Sequence, residues 1–148
     1  RSQELKQILM ERSKGVIDIT LPDINGKNIS LSSLKGKVVL LDFVYFSNEN
    51  PVKHVFDLRN LYQKYKKRGF EIYAVSFDED YEVFEFISKK IPWICVRDEY
   101  SLNSDLLVKY NIDKMPNYFL LNKQGDIVSR HIFIDSDLEA NIEKLLKK

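Results

Sequence analysis

The side chains of this sequence with the types and spacing for chemistry gather mainly between Lys37 and Tyr65, KVVLLDFVYFSNENPVKHVFDLRNLYQKY. Asp42 interrupts the apolar run Val38-Val39-Leu40-Leu41 and Phe43-Val44. A carboxylate inside a strand is costly unless it is hydrogen-bonded or protonated. Asp42 is therefore either a general base or an acid satisfied by a neighbouring side chain or water. The second is expected, because a base needs a substrate proton within reach. His54 and Asp57 share a helical face, with Glu49 close in sequence. Zinc and iron sites want three or more converging ligands, and His131 is far along the chain, so a solvated helix face is expected instead of a metal site. Asp78-Glu79-Asp80 lacks the glycine and ligand spacing of a calcium loop and reads as the polar cap of a following helix.

Cys95 is the sole cysteine, so no intramolecular disulfide can form. It lies in the apolar run Pro92-Trp93-Ile94-Cys95-Val96. A free cysteine in such a run is usually a small buried hydrophobe, and a thiol in apolar surroundings is poorly ionised and inert.

The elements that position these groups follow from periodicity. Leu5, Ile8 and Leu9 suggest a short helix ending near Gly15. Ile17, Ile19 and Leu21 alternate as a strand, Asn25-Gly26 is a hairpin turn, and Ile29 and Leu31 lie on the return. Val38 to Tyr45 reads as a buried strand, followed by a tight turn. A helix opened by Pro51 then carries Val52, Val55, Phe56, Leu58, Arg59 and Tyr62, and ends at Gly69, a residue suited to a left-handed cap. Phe70 to Phe77 predicts a strand, Val83, Phe84 and Ile87 a helix, Ile94 to Val96 a short strand, and Leu102, Leu106, Leu107 and Tyr110 a further helix. Tyr118 to Leu121 and Ile127 to Ile132 form a hairpin, and Leu138, Ile142, Leu145 and Leu146 a closing helix. Alternating strands and helices followed by a hairpin and helix predict an α/β domain: a central mixed sheet with helices on both faces and an N-terminal β-hairpin extension.

At 148 residues the chain reads as one domain, residues 1–148, with 1–14 a helical lead-in. Its formal charge of +1 supplies no basic field for nucleic acid. No apolar run approaches the roughly 20 residues that span a bilayer, so no membrane insertion by this domain is expected. The chain begins at Arg1 without a Met, and a fragment of a longer protein is expected. No cofactor is indicated.

Several segments, in this order and spacing, carry a resemblance. They are Leu21-Pro-Asp-Ile-Asn-Gly-Lys27, Leu34-Lys-Gly-Lys-Val-Val-Leu-Leu41, Lys67-Arg-Gly-Phe-Glu-Ile72, Val75-Ser-Phe-Asp78, Tyr110-Asn-Ile-Asp-Lys-Met-Pro116 and Phe119-Leu-Leu-Asn-Lys-Gln-Gly125. From about Gly15 onward the chain resembles the thioredoxin-like superfamily, of the TlpA/ResA and AhpC/TSA type. The resemblance implies a thioredoxin-like fold with an active-site turn at Asn48, Glu49, Asn50 and Pro51, where relatives carry Cys-x-x-Cys. Asn48 and Pro51 then occupy the two cysteine positions, and neither does thiol chemistry. Asn48 or Asn50 would cap the helix instead.

Asp42 matches, by the same resemblance, the buried acid that assists proton transfer to the cysteine pair. Met115-Pro116 matches a cis-proline whose neighbouring backbone pairs with an extended peptide; Tyr45 and Phe46 either form an aromatic lip beside the active-site turn or, as is commoner, pack locally. The implied reading is a redox-inactive binding or accessory module, with an extended peptide or partner protein at the Pro116 groove, in the periplasm or cell envelope. The alternatives are a thiol-disulfide oxidoreductase or peroxidase acting through Cys95 or an external thiol, and a purely structural domain.

Overall fold

The computed structural model describes residues 17–48 and 50–148. The helix expected around Leu5, Ile8 and Leu9, and Glu49 of the turn, lie outside the described residues. Two short strands, β1 (Thr20–Pro22) and β2 (Asn28–Ser30), pair antiparallel. Their turn is fixed by Asp23, whose carboxylate accepts from the Asn25 and Lys27 amides. β3 (Val38–Val44), α1 (Pro51–Tyr65), β4 (Phe70–Ser76), α2 (Tyr81–Ser88), β5 (Ile94–Arg97), α3 (Asp105–Lys109), β6 (Asn117–Leu121), β7 (Ile127–Ile132) and α4 (Ser136–Leu146) follow.

The main sheet has the order β5-β4-β3-β6-β7. β3 and β4 run parallel, with Val38 opposite Phe70 and Val44 opposite Ser76. β6 joins β3 antiparallel, setting Asp42 across from Tyr118 and Phe43 across from Asn117. All seven residues of β3 and of β4 are buried, as strands covered on both faces must be. The two-residue pleat then sorts them. Val38, Leu40 and Val44 face a core shared with Leu58, Tyr65, Phe84 and Ile142 of the helices. Val39, Leu41 and Phe43 face a second core with Tyr73, Tyr110 and Phe119. Phe43 lies 5.0 Å from the Tyr110 ring and 5.6 Å from that of Phe119. The Tyr110 hydroxyl donates to the Ile17 carbonyl and ties the start of the described chain to this face.

Gly69 ends α1 and its short 3-10 extension with φ at 99°, the left-handed cap that the sequence predicts. The helix expected over Leu102 to Tyr110 differs from what is found. It splits into a 3-10 turn, Ser101–Asn103, and α3. Ser104 is extended between them and its hydroxyl accepts from the Leu106 amide, so an N-cap interrupts the apolar periodicity. No helix among the described residues is long and apolar enough to cross a membrane.

Candidate functional site

β3 leaves the sheet at Val44 and reaches α1 through Tyr45 and a 3-10 turn, Phe46–Asn48. Asn50 is the N-cap of α1, its side-chain oxygen accepting from the Val52 and Lys53 amides, and Pro51 fills the first helical position. These are the roles for which such residues are suited at a helix start. Of the two asparagines considered for the cap, Asn50 takes it, and Asn48 is exposed.

The turn is held from the neighbouring strand. Asp78 is fully buried; its carboxylate accepts from the Phe46 amide at 3.0 Å, the Ser47 amide at 2.9 Å, the Ser47 hydroxyl at 2.7 Å and the Ser76 hydroxyl at 2.6 Å. The expectation that Asp78 belongs to the polar cap of the following helix is therefore corrected. Asp80 alone caps α2, through the Glu82 amide. Glu79 accepts from the Tyr45 hydroxyl at 2.6 Å, a bond that raises the Tyr45 phenol pKa.

Beneath the turn lies a buried polar chain. His54 Nε2 is 2.7 Å from Asp42 Oδ2, and His54 Nδ1 is 3.3 Å from the Tyr118 hydroxyl. Asp42 and His54 are 0% and 6% exposed. The solvated helix face expected for His54 is corrected: helical spacing from Leu58, Leu61 and Tyr65 carries it into the core. Asp57, its supposed companion, instead pairs with Lys53 at 2.7 Å. No metal-binding group of His, Cys, Asp and Glu occurs among the described residues. Phe46 is 3% exposed and packs edge-on to the His54 ring. It is thus core packing, the commoner of its two readings, and takes no part in an exposed lip; Tyr45 is half-buried. Both His54 nitrogens thus have side-chain partners inside the core. Asp42 Oδ1 has no hydrogen-bond partner among the described residues.

Cys95 sits on β5 opposite Ala74, buried in the α1-side core. Burial first, and the nearby Asp42 charge second, push its thiol well above the ordinary range. At the sheet end where β3 passes into Tyr45, β6 begins at Asn117, next to the cis Met115–Pro116 bond. Met115 is half-buried in the second core and Pro116 is exposed. His131 bonds Asn117 through Nδ1 at 3.0 Å, apart from the buried chain.

The AhpC/TSA family model matches residues 13–130. The chain belongs to the AhpC/TSA family. It is 30% identical over 143 residues to thiol-disulfide oxidoreductase ResA of Bacillus thuringiensis (strain Al Hakam), covering 94% of this chain and 79% of that one. The solution structure of a thioredoxin-like protein from Bacteroides vulgatus superposes with a TM-score of 0.81 at 40% identity, over 90% of this chain and 87% of the other. The thioredoxin domain of a thiol-disulfide oxidoreductase from the same organism gives 0.77 at 31% identity, over 88% and 94%. This AhpC/TSA chain is thus a thioredoxin-like domain of the TlpA/ResA type, and it carries one cysteine.

Sequence reasoning missed Asp78 and the His54 contact. The signal for Asp78 was akin to the one that singled out Asp42: a carboxylate adjoining an apolar strand run, Phe70 to Phe77. Its partners in the turn, Phe46 and Ser47, lie more than 30 residues away, beyond any local pattern.

Proposed function

We propose that this domain is a redox-inactive binding or accessory module of the thioredoxin-like fold. Thiol-disulfide exchange needs an accessible thiolate and a second thiol to resolve the mixed disulfide. The single observation that carries the reading is the fate of the only thiol: Cys95 is buried and driven toward its neutral form. By the family resemblance, the attacking and resolving positions are Asn48 and Pro51, an exposed amide and a helix-opening ring. Insulin reduction and peroxide consumption are the test. Both should stay at the rate of a protein-free control; turnover abolished by Cys95→Ser would make Cys95 the nucleophile and overturn the reading.

The proposed partner is an extended peptide or protein segment that docks beside Pro116 through the backbone of Met115, as strands add to an exposed edge. Tyr45 remains as the aromatic neighbour of that edge, Phe46 having turned inward. The proposed compartment is the periplasm or cell envelope, by resemblance to TlpA/ResA-type proteins, and fractionation of cells producing the full-length gene product tests it.

A further inference from the structure

We propose that the groove between α1 and α2 receives an acidic amphipathic helix of a partner protein, at a surface separate from Met115–Pro116. Two matching stripes line it. On α1, Val52, Val55, Phe56 and Arg59 fall at i, i+3, i+4 and i+7, apart from the stripe of Leu58, Leu61 and Tyr65 that enters the core. Across the groove Phe86, Ile87 and Lys90 of the α2 segment complete the lining, with the same i, i+1, i+4 offsets as Val55, Phe56 and Arg59. An amphipathic helix directs one apolar stripe into its own core; Val55 and Ile87 pack on that side and floor the groove, whereas the apolar side chains at its rim stand in water and call for another occupant. Val52, Phe56 and Phe86 are 77%, 64% and 62% exposed. Contiguous exposed apolar surface of this kind marks contact sites.

The charges define the occupant. β3, β4 and β5 are parallel neighbours and both helices pack on one face of them, so α1 and α2 run the same way, and the middle of α1 meets the chain just beyond the end of α2. There the Arg59 guanidinium donates to the Lys90 carbonyl at 2.8 Å, and the Lys90 ammonium stands 4.6 Å over the Phe86 ring. The hollow holds about 460 Å³, and its lining is apolar apart from Arg59 and Lys90. No carboxylate among the described residues pairs with either cation. A stripe running from i to i+7 is two helical turns, about 10 Å, and two side-by-side helices offer the ridges that a third helix packs into. The occupant therefore presents two turns of apolar side chains, then carboxylates at the turn that reaches Arg59 and Lys90.

The test titrates the isotope-labelled protein with a stapled helical peptide of about 14 residues, short enough to need the staple. It carries Leu at i, i+3, i+4 and i+7 and Glu at one end, and a second peptide carries Lys there. The Glu peptide should give saturable amide shifts confined to the groove. Paired Phe56→Ser and Phe86→Ser changes, at exposed positions that leave the fold intact, should weaken it about tenfold or more, roughly 1.4 kcal/mol. Arg59→Glu with Lys90→Glu should transfer the preference to the Lys peptide. No saturable shift, shifts elsewhere, or equal affinity for both peptides would overturn the proposal. Two other outcomes would also overturn it: decanoate filling the groove while the Glu peptide is silent, and self-association abolished by the paired serine changes.

Discussion

His54 and Asp42 meet at 2.7 Å in the core, twelve residues apart, one from the second turn of α1 and the other from the middle of β3. The contact joins helix to sheet directly below the turn. Its consequence is asymmetric, because removing one member of a buried pair leaves the other uncompensated. His54→Leu should therefore destabilise the domain by about 3–5 kcal/mol at pH 7. Asp42→Asn keeps an oxygen that can accept from the imidazole and should lose less, about 1–3 kcal/mol. The double variant Asp42→Leu/His54→Leu should recover much of the loss, since it buries no unpaired charge. Urea unfolding of the parent, His54→Leu, Asp42→Leu and the double variant gives the coupling. A His54→Leu variant indistinguishable from the parent would show that the pair contributes nothing.

The Asp78 clamp makes a separate prediction. Its carboxylate answers two backbone amides and two hydroxyls around the turn. Asp78→Ala strands the amides of Phe46 and Ser47, and hydrogen bonds to charged groups contribute about 1.5–3 kcal/mol. A loss of about 3 kcal/mol is expected, with Ser47→Ala costing no more than about 1 kcal/mol. Amide exchange should accelerate first at residues 46 and 47. Unchanged exchange there in Asp78→Ala would refute the clamp.

The order of strands and helices was legible because β3 and β4 are continuous apolar runs and because Gly69 and Pro51 mark helix ends with distinct backbone demands. The site was legible only in part. Asn50 as a cap is a local event between adjacent residues, whereas Asp42 finding His54, and Asp78 finding Ser47, are contacts across the tertiary fold. Phe46 shows the same limit: its inward turn depends on the edge of His54, which no pattern in the turn announces. The break at Ser104 was local, but the Leu102-to-Tyr110 apolar spacing masked it.

Alkaline stability follows from the buried phenols. Burial first, then Glu71, push the Tyr62 pKa up to about 12, and burial raises Tyr73 and Tyr110 further. A folded-state pKa above the unfolded value means that the folded state holds the proton more tightly. The stabilisation is then complete below the unfolded value of about 10 and is lost as pH rises through the folded values. Unfolding free energy should stay level up to pH 10 with respect to these groups and fall between about pH 10 and 12. Tyr62→Phe should reduce the slope in that window. Tyrosinate absorbance would decide the matter: complete titration of all eight phenols near pH 10, with the fold intact, contradicts it.

The proposed cysteine positions can be tested by placing thiols there. If residues 48 and 51 are the first and last places of the active-site turn, Asn48→Cys/Pro51→Cys puts two thiols across the opening of α1. A thiol at a helix N-terminus is acidified by the aligned amides, and the second can resolve a mixed disulfide. The double variant should lose both introduced thiols to an internal disulfide in oxidised glutathione and should gain insulin reduction that the parent lacks. Asn48→Cys alone should form a mixed disulfide and stop there. Cys95 stays buried throughout and should react with an aromatic disulfide reagent only after unfolding. Introduced thiols that remain free, with no gain in reduction, would refute the register that places Asn48 and Pro51 at the cysteine positions.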